Sequence, residues 1–514
     1  MTFKTSTALL SVSFAALIAA PALADITADD LWNSYQAIAE TVGGELTATT
    51  TRDGNKVTFS DAKLNFSLDF PEGSASVALF YPTLSYTDNA DGTVAMDMDG
   101  DHLYKVVITG LNPDTDTMSA EFVLNYSDAE LIASGSPDEI TFTYAMDAYR
   151  FGLQNLTANN IPELEDFAFS FTGEGSGLNG SSRITLGDLV TITDRAKVSS
   201  LNYNAQMKDQ SGIETVTSAT YTDMASDVSV ALPTGGMSIT NLAAALKQGL
   251  SLDYSGTYGA SSTQTSAQLD GEEVMSQSMT GGASTGRVSA NKDAIQMTGK
   301  VADVSIDVAA GAGFPFDLSA KLAQLGMDIK MPVTASEAPQ DYTVALSLGD
   351  LTVNEELWSL FDPAAVLPRE PATIDVDLTG QTTVFQDFMN FAKMMELSDN
   401  DVPLELNALT IKNFLISAAG ASLSATGDFA FNNDDLTSFD GIPAPSGSAE
   451  VQISGANGLI DKLIEMGLIA ETDAMGARMM MGMLAVPGEG EDSLKSNLEI
   501  TEDGQILANG QRIK

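Results

Sequence analysis

The sequence contains no cysteine and one histidine, His102, among 514 residues. Without thiols, and with one imidazole, the chain cannot assemble a structural zinc site or a Cys/His catalytic pair. The lack of cysteine also excludes disulfides, although they would persist in an oxidising compartment. A chain of this length can instead bury a large core without covalent cross-links.

Basic residues are also scarce. Lys and Arg number 24 against 70 Asp and Glu, a formal net charge of −46. Nucleic acids and anionic membrane surfaces attract clustered Lys and Arg, which this chain does not have. We therefore exclude nucleic acid as a partner and interpret the acidic excess as a solvated surface. Disorder is not predicted, because 44% of the residues are apolar and the acids are spaced among strand-like alternations.

The first 24 residues have the features of a secretory signal peptide. Lys4 precedes an apolar run over residues 8–20, and the small-residue motif Ala22-Leu23-Ala24 follows. These features predict cleavage between Ala24 and Asp25. The run is shorter than the ~20 residues needed to span a bilayer, and no later segment predicts a transmembrane helix. We therefore expect a soluble, exported, periplasmic protein.

Most of the remaining chain alternates between apolar and polar residues with a period of two. This pattern predicts strands with one apolar and one polar face, which is typical of antiparallel sheets. The clearest examples are residues 64–70, 301–308, 344–348, 374–378, 429–431 and 449–453. The sequence predicts a mainly β protein with a large antiparallel sheet, curled or sandwich-like, and a few short covering helices. We expect an N-terminal β-rich region over residues 25–235 and a C-terminal one over residues 236–514, continuous with the first.

Short helices are predicted where apolar residues recur every three or four positions. They follow the N-cap residue Thr27 and lie near residues 240–250, 355–361, 384–395, 459–464 and 475–484. Together they amount to roughly 70 residues, too few to cover several hundred residues of sheet. The sheet must therefore cover itself as a sandwich or barrel, or curl around an apolar groove that would accept an acyl chain.

Two motifs resemble catalytic or cofactor-binding sequences. Residues 175–180 (GSGLNG) match the dinucleotide fingerprint, but the next residues predict a strand and not a helix, so we interpret the motif as a glycine-rich hairpin loop. Residues 282–286 (GASTG) match a nucleophile elbow around Ser284. His102 precedes this serine, contrary to the order in such hydrolases, so we expect a small-residue turn there and a surface or strand-end role for His102.

Two further motifs resemble metal sites. Residues 97–101 (DMDGD) resemble a calcium loop, but the glycine comes too early and Ile108 stands where a Glu is required, which favours a strand running into a turn. Thioethers suit Cu(I), and the run DAMGARMMMGMLA has five of them. However, the spacing of four between Met475, Met479 and Met483 predicts one stripe of a helix, used for core packing or as an adaptable apolar surface. The sequence thus predicts no catalytic residue, cofactor or metal ligand.

The C-terminal LEITEDGQILANGQRIK predicts a final hairpin. A turn at Asp503-Gly504 would place Ile500 opposite Leu507. Asn509-Gly510 would form a bulge or a second turn.

Three stretches carry a family resemblance. They are LWSLFDPAAVLPREPATIDVDLTG from Leu357 to Gly380, AAGASLSATGDFAFN with GSAEVQISGANGLIDKLIEMGLI, and LEITEDGQILANGQRI. Over residues 350–514 the chain resembles domain-of-unknown-function family 2125, a family of exported bacterial proteins. The resemblance implies export and a β-rich fold, but no activity, substrate or site residue.

The favoured function is that of a non-enzymatic periplasmic protein that binds a hydrophobic or lipid ligand, or an envelope partner. One alternative is a structural or assembly factor of the cell envelope, with a closed β core and an acidic outer face for a protein partner. The other is a carboxylate-based hydrolase of envelope polymers, which needs two acids converging in a cleft.

Overall fold

The computed structural model describes residues 25–70, 73–98, 100–110, 117–159, 167–238, 240–310, 316–398 and 402–513. Strands make up 63% of the described residues and helices 12%. The predicted mainly β class with a large antiparallel sheet is therefore confirmed. The predicted leader, including Ala24, lies outside the described residues, and the exposed Asp25 is the first residue described.

The chain forms two compact units. The first comprises the chain up to Ala205 together with Tyr221–Ile239 and Gln248–Gly256. The second comprises Gln206–Thr220, Thr240–Lys247 and Thr257–Lys514.

The described helices are short. They are α1 (Ala28–Thr41), α2 (Leu242–Lys247), α3 (Glu355–Ser359), α4 (Phe391–Met395), α5 (Ala456–Glu465) and α6 (Glu471–Leu484). Thr27 caps α1 as predicted, in a capping box with Asp30. The helix predicted over residues 384–395 is wrong in its first half, because Val384 pairs with Leu404 as the last residue of a strand.

The strands of the first unit form an antiparallel meander. They are β1 (Glu45–Asp53), β2 (Lys56–Phe70), β3 (Gly73–Phe80), β4 (Leu84–Asp88), β5 (Val94–Met96), β6 (Asp101–Thr109), β7 (Thr117–Ser127), β8 (Glu130–Ser136), β9 (Glu139–Asn159) and β10 (Ala168–Thr185). β3 and β4 lie end to end beside β2, and β7 and β8 lie end to end beside β9. Each of these pairs is thus one long strand interrupted near its middle. Three further strands, β11 (Leu189–Lys208), β12 (Glu214–Pro233) and β13 (Ser251–Tyr258), contain residues of both units.

Helix α1 covers the core of the first unit. Its Leu31 is fully buried, and Trp32 stacks on Phe59 of β2 with ring centroids 4.6 Å apart. Phe142 and Tyr144 of β9 are buried in the same cluster. Here a helix closes one apolar sheet face, as expected for a helix-on-sheet layer.

The second unit continues as a longer meander. Its strands are β14 (Ala260–Leu269), β15 (Glu272–Gly281), β16 (Ser284–Ala290), β17 (Ala294–Val308), β18 (Leu318–Pro332), β19 (Gln340–Val353), β20 (Ala372–Val384), β21 (Leu404–Ala418), β22 (Ala421–Asn432), β23 (Ala444–Ser454), β24 (Val486–Pro487), β25 (Ser493–Ile500), β26 (Ile506–Ala508) and β27 (Gln511–Arg512). From β17 to β23 each strand pairs with the next in antiparallel register, and β23 then pairs with β25.

Two long strands of the second unit contain a residue with a left-handed φ angle at the same level of the sheet, and this irregularity is called the strand break below. Asp303 lies in β17 with φ 51°, and Asp350 lies in β19 with φ 53°. The register places the two aspartates on either side of the same segment of β18. Asp tolerates this left-handed conformation better than most residues, and irregularities of this kind bend strands.

Two predictions about turns need correction. Residues 175–180 do not form a hairpin loop, because they lie inside β10, where Gly177 has φ 63°. The two C-terminal turns are confirmed, but the register predicted for them is wrong. Ile500 pairs with Ile506 and not Leu507, because the first turn closes through hydrogen bonds between Thr501 and Gln505.

Candidate apolar binding face

Strands β17 to β25 present a continuous apolar face. Because side chains alternate along a strand, residues that pair in register lie on the same side of the sheet. One row crosses the sheet through Val301, Leu325, Leu348, Ile374, Ile416, Leu423, Ile453 and Leu494. A parallel row contains Met327, Leu346, Val376, Phe414, Ala425 and Val451, and a third begins with Met297, Ile329, Val344 and Leu378. These three rows are called the apolar face below.

The apolar face is most exposed on β17 to β19 and is half-buried over most of β20 to β25. Met297 exposes 45% of its surface and Leu346 exposes 43%. In the core of the first unit, by contrast, Ile140 and Tyr144 expose none. Large apolar side chains exposed to this degree make the face a candidate binding surface.

The opposite face of the same strands is polar and hydrogen-bonded. Gln296 of β17 donates to Asp328 of β18 at 2.9 Å, and Asn413 of β21 donates to Asp375 of β20 at 2.7 Å. The sheet is therefore amphipathic across its width.

The apolar alternation of β18 changes phase at the strand break. Leu325, Met327 and Ile329 alternate along β18, but beyond the break the apolar positions of β18 shift by one, to Leu322 and Ala320. Leu322 is 8% exposed and its partner Val304 is 4% exposed. The shift in alternation coincides with Asp303, and the apolar residues beyond it are buried.

Aromatic rings cover glycines on neighbouring strands. Tyr342 pairs with Gly380 across β19 and β20, and a Cβ added at Gly380 would lie 2.6 Å from the Tyr342 hydroxyl oxygen. That hydroxyl donates to the Ala408 carbonyl at 3.3 Å, so the ring lies flat across β20. In the first unit, Phe151 covers Gly173 in the same way. Rings that lie flat over glycines in this way make the sheet surface smoother.

His102, Ser284 and Asp97, which belong to the motifs described above, each have a local polar partner. His102 is 6% exposed at the start of β6, with its Nε2 3.0 Å from the Met98 carbonyl oxygen, so it is a strand-end residue but a buried one. The buried Ser284 hydroxyl donates to the carbonyl of Gly282 in its own turn. Asp97 follows β5 and pairs with Lys56. In the part of the chain that the structure describes, no group of three or more His, Asp or Glu is placed to hold a metal ion.

A polar cavity of about 460 Å³ lies at β14 and β15 in the second unit. Hydroxyl and amide side chains dominate its lining, including Gln264, Thr265 and Ser278. Two acids also line it, and both accept local hydrogen bonds: Asp307 from the Ser305 hydroxyl at 3.3 Å and Asp317 from the Ala310 amide at 2.7 Å. The mixed lining differs from the predominantly apolar lining that the favoured ligand would require.

The sequence predicted the methionine helix but not its exposure. Met475, Met479, Met480 and Met483 lie on α6 and expose 60–69% of their surface, so they form an apolar surface and not core packing. Within the described residues, no helix has the length and apolar character needed to cross a membrane.

The sequence did not predict the apolar face as one surface, because the alternation within a strand does not show how that strand pairs with its neighbours. Its signal was present in the sequence as several amphipathic strands of similar length, each with its apolar residues at alternate positions. Only the pairing shows that these residues align into rows.

The family described as "Uncharacterized protein conserved in bacteria (DUF2125)" matches residues 215–510, more than half of the chain. The match confirms the resemblance over residues 350–514 and begins well before it, so it includes the whole apolar face. Comparison with curated proteins and with solved structures gives no match.

Proposed function

We propose that this chain, which belongs to the bacterial family DUF2125, is a non-enzymatic periplasmic protein that binds the acyl chain of a lipid. The apolar face is the proposed binding surface, and the signal peptide predicted over residues 1–24 supports the proposed location.

The exposure of the apolar face is the observation that carries this proposal. Each CH₂ group of a ligand removed from water contributes about 0.8 kcal/mol, and the exposed side chains of the face gain in the same way. An acyl chain with no charged group in contact with the rows would bind through this term alone.

The length of the face also fits an acyl chain. Neighbouring strands are about 4.8 Å apart, so the row from Val301 to Leu494 extends roughly 34 Å. One leaflet of a bilayer has a hydrocarbon thickness of about 15 Å. The face is therefore long enough for a complete acyl chain laid across the strands.

The composition of the rows limits the kind of ligand. They contain no charged residue, and the chain has few basic residues to pair with a phosphate. Recognition would depend on the apolar part of the ligand, with tolerance for different head groups.

Native mass spectrometry tests the proposal. The protein, purified from its own periplasm without detergent, is expected to carry lipid or fatty acid that organic extraction removes. Protein that carries no lipid, and that binds no fluorescent fatty acid after extraction, would refute the proposal.

A further inference from the structure

Three of the short helices lie at one end of the sheet of the second unit. β19 ends at Val353 and leads to α3, and β23 ends at Ser454 and leads to α5. A Cβ added at Gly420, in the turn between β21 and β22, would lie 3.1 Å from Pro368 and 3.9 Å from Lys462 of α5. The segment after α3 and the α5–α6 pair therefore meet at this end of the sheet.

Helix α6 has two different faces. Ala474 is 3% exposed, and small or half-buried residues recur from it along the packed side. The outward side carries the four exposed methionines, together with Gly476 and Gly482. Arg478 is the charged residue between Ala474 and Leu484, and it donates to Asp461 of α5 at 2.7 Å. About three turns of the outward side therefore carry apolar groups and no free charge.

The segment after α3 presents a second apolar group at the same end. Leu360 exposes 59% of its surface and Phe361 exposes 46%. Arg369 fixes this segment, because its Nη1 donates to the buried Asp362 at 2.5 Å while its guanidinium lies 4.3 Å from the Trp358 ring centroid. The exposed pair is thus held on a rigid support.

The row of the apolar face nearest to these helices is the one that contains Leu348, Ile374 and Ile453. Apolar surface thus reaches the end of the sheet where the helices expose apolar side chains. A lipid-binding face that is to be loaded needs such continuity between its rim and the source of the ligand.

From these contacts we propose that the α3 and α6 surface, formed by Leu360, Phe361, Met475, Met479, Met480 and Met483, docks on a zwitterionic lipid bilayer. The proposal rests on the proposed function, because docking would bring the apolar face to its acyl chains. The negative charge of the chain favours a neutral bilayer over an anionic one. A chain with a net charge of −46 is repelled by anionic lipid, whereas an uncharged apolar surface enters a neutral interface.

Vesicle flotation tests the docking. The chain from Asp25 to Lys514 is mixed with vesicles of phosphatidylcholine, or of phosphatidylcholine with one part in five of phosphatidylglycerol. We expect flotation with the neutral vesicles and weaker flotation with the anionic ones at low salt, with the difference reduced by added salt.

Met479→Glu is the test variant, and Asn33→Glu is its matched control. Both positions are exposed on helices and both variants add one negative charge, but Asn33 lies on α1 of the first unit, away from the methionine stripe. Met479→Glu is expected to lower the floated fraction about tenfold, since a charge at the interface opposes insertion. Asn33→Glu is expected to float like the unmodified chain. Circular dichroism confirms that both variants are folded.

Several results would overturn the docking proposal. They are no flotation of the unmodified chain with neutral vesicles, equal flotation of the two variants, or preference for anionic vesicles. Fatty-acid binding by the same proteins in detergent-free buffer keeps the two proposals distinguishable. If the unmodified chain binds fatty acid but no vesicle, docking fails and the proposed function stands. If it binds no fatty acid, the proposed function itself fails.

Discussion

Asp362 shows how single residues support the apolar surfaces. Its side chain is 0% exposed, and it accepts hydrogen bonds from Arg369 and from the backbone amides of Val366 and Leu367. Burial alone would raise the pKa of Asp362, but these donors outweigh it and hold the pKa below its usual value. Removing one partner of such a pair leaves the other uncompensated.

Asp362→Asn is expected to destabilise the second unit in a pH-dependent way. A carboxyl whose pKa is lowered by folding stabilises the folded state above its usual pKa, here 3.8, and loses this contribution as the pH falls through the lower folded value. The gap in unfolding free energy between the unmodified chain and the variant should therefore be present at neutral pH and close in acid. Unfolding followed by Trp358 fluorescence, in a Trp32→Phe background, measures this difference in the free energy of unfolding.

Asp293→Asn serves as the control for Asp362→Asn, because Asp293 is 73% exposed and its ion pair with Lys292 is solvated. It should change the stability little at any pH. An Asp362→Asn gap that stays constant from neutral pH to pH 2 would contradict the assignment.

Gly380 is required by close approach and not by its φ angle. Gly380→Ala would place a Cβ 2.1 Å from the Ala408 carbonyl oxygen and 2.6 Å from Tyr342. We expect a loss of about 1–3 kcal/mol, typical of overpacking. Gly286→Ala is the matched control, because its nearest neighbour would be 3.8 Å away. Urea unfolding compares the two, and equal stabilities would refute the close packing of Tyr342.

At the scale of elements, the strand break rests on two aspartates. Asp303 and Asp350 both take left-handed φ angles inside long strands, where β-branched residues are strongly disfavoured. The break depends on aspartate because its short polar side chain tolerates this conformation. The apolar alternation changes phase at the same level, where exposed apolar residues give way to the buried Val304 and Leu322.

Asp303→Val is expected to destabilise the second unit by about 1–2 kcal/mol, whereas Asp303→Gly should be tolerated because glycine adopts positive φ freely. Asp307→Val is the control within the same strand, since Asp307 has no positive φ and valine suits strands. Chemical unfolding followed by circular dichroism checks the order of stabilities. Equal effects of valine at positions 303 and 307 would contradict the role of the break.

Sequence patterns predicted elements better than their contacts. The strand around Val344 and Leu348 follows from alternation, and α6 follows from the spacing of its methionines. Whether the methionines are buried could not be predicted, because burial depends on which face of α6 meets α5. The change in apolar alternation beside Asp303 is visible in the sequence. Only the pairing of its neighbours Ala302 and Val304 with Gln324 and Leu322 shows that β17 and β18 change at the same level.

At the scale of the whole molecule, helical cover is distributed unevenly. In the first unit α1 closes a core in which Val57 and Val94 are fully buried. In the second unit the short helices leave Met327 and Leu346 more than a third exposed. The acidic excess of the chain provides the repulsion that opposes aggregation of such an open face. The sequence predicts too few helices to cover the sheet, and in the second unit the part left uncovered is the apolar face.

Binding of an acyl chain to the apolar face is tested most directly by titrating a fluorescent fatty acid into two matched double variants. Val344→Glu/Leu346→Glu places two carboxylates on the apolar face, and Thr343→Glu/Ser347→Glu places two on the polar face of the same strand. We expect the first to weaken binding at least about thirtyfold, equivalent to roughly 2 kcal/mol, and the second to stay within about twofold. Equal affinities for the two folded variants would contradict binding at the apolar face.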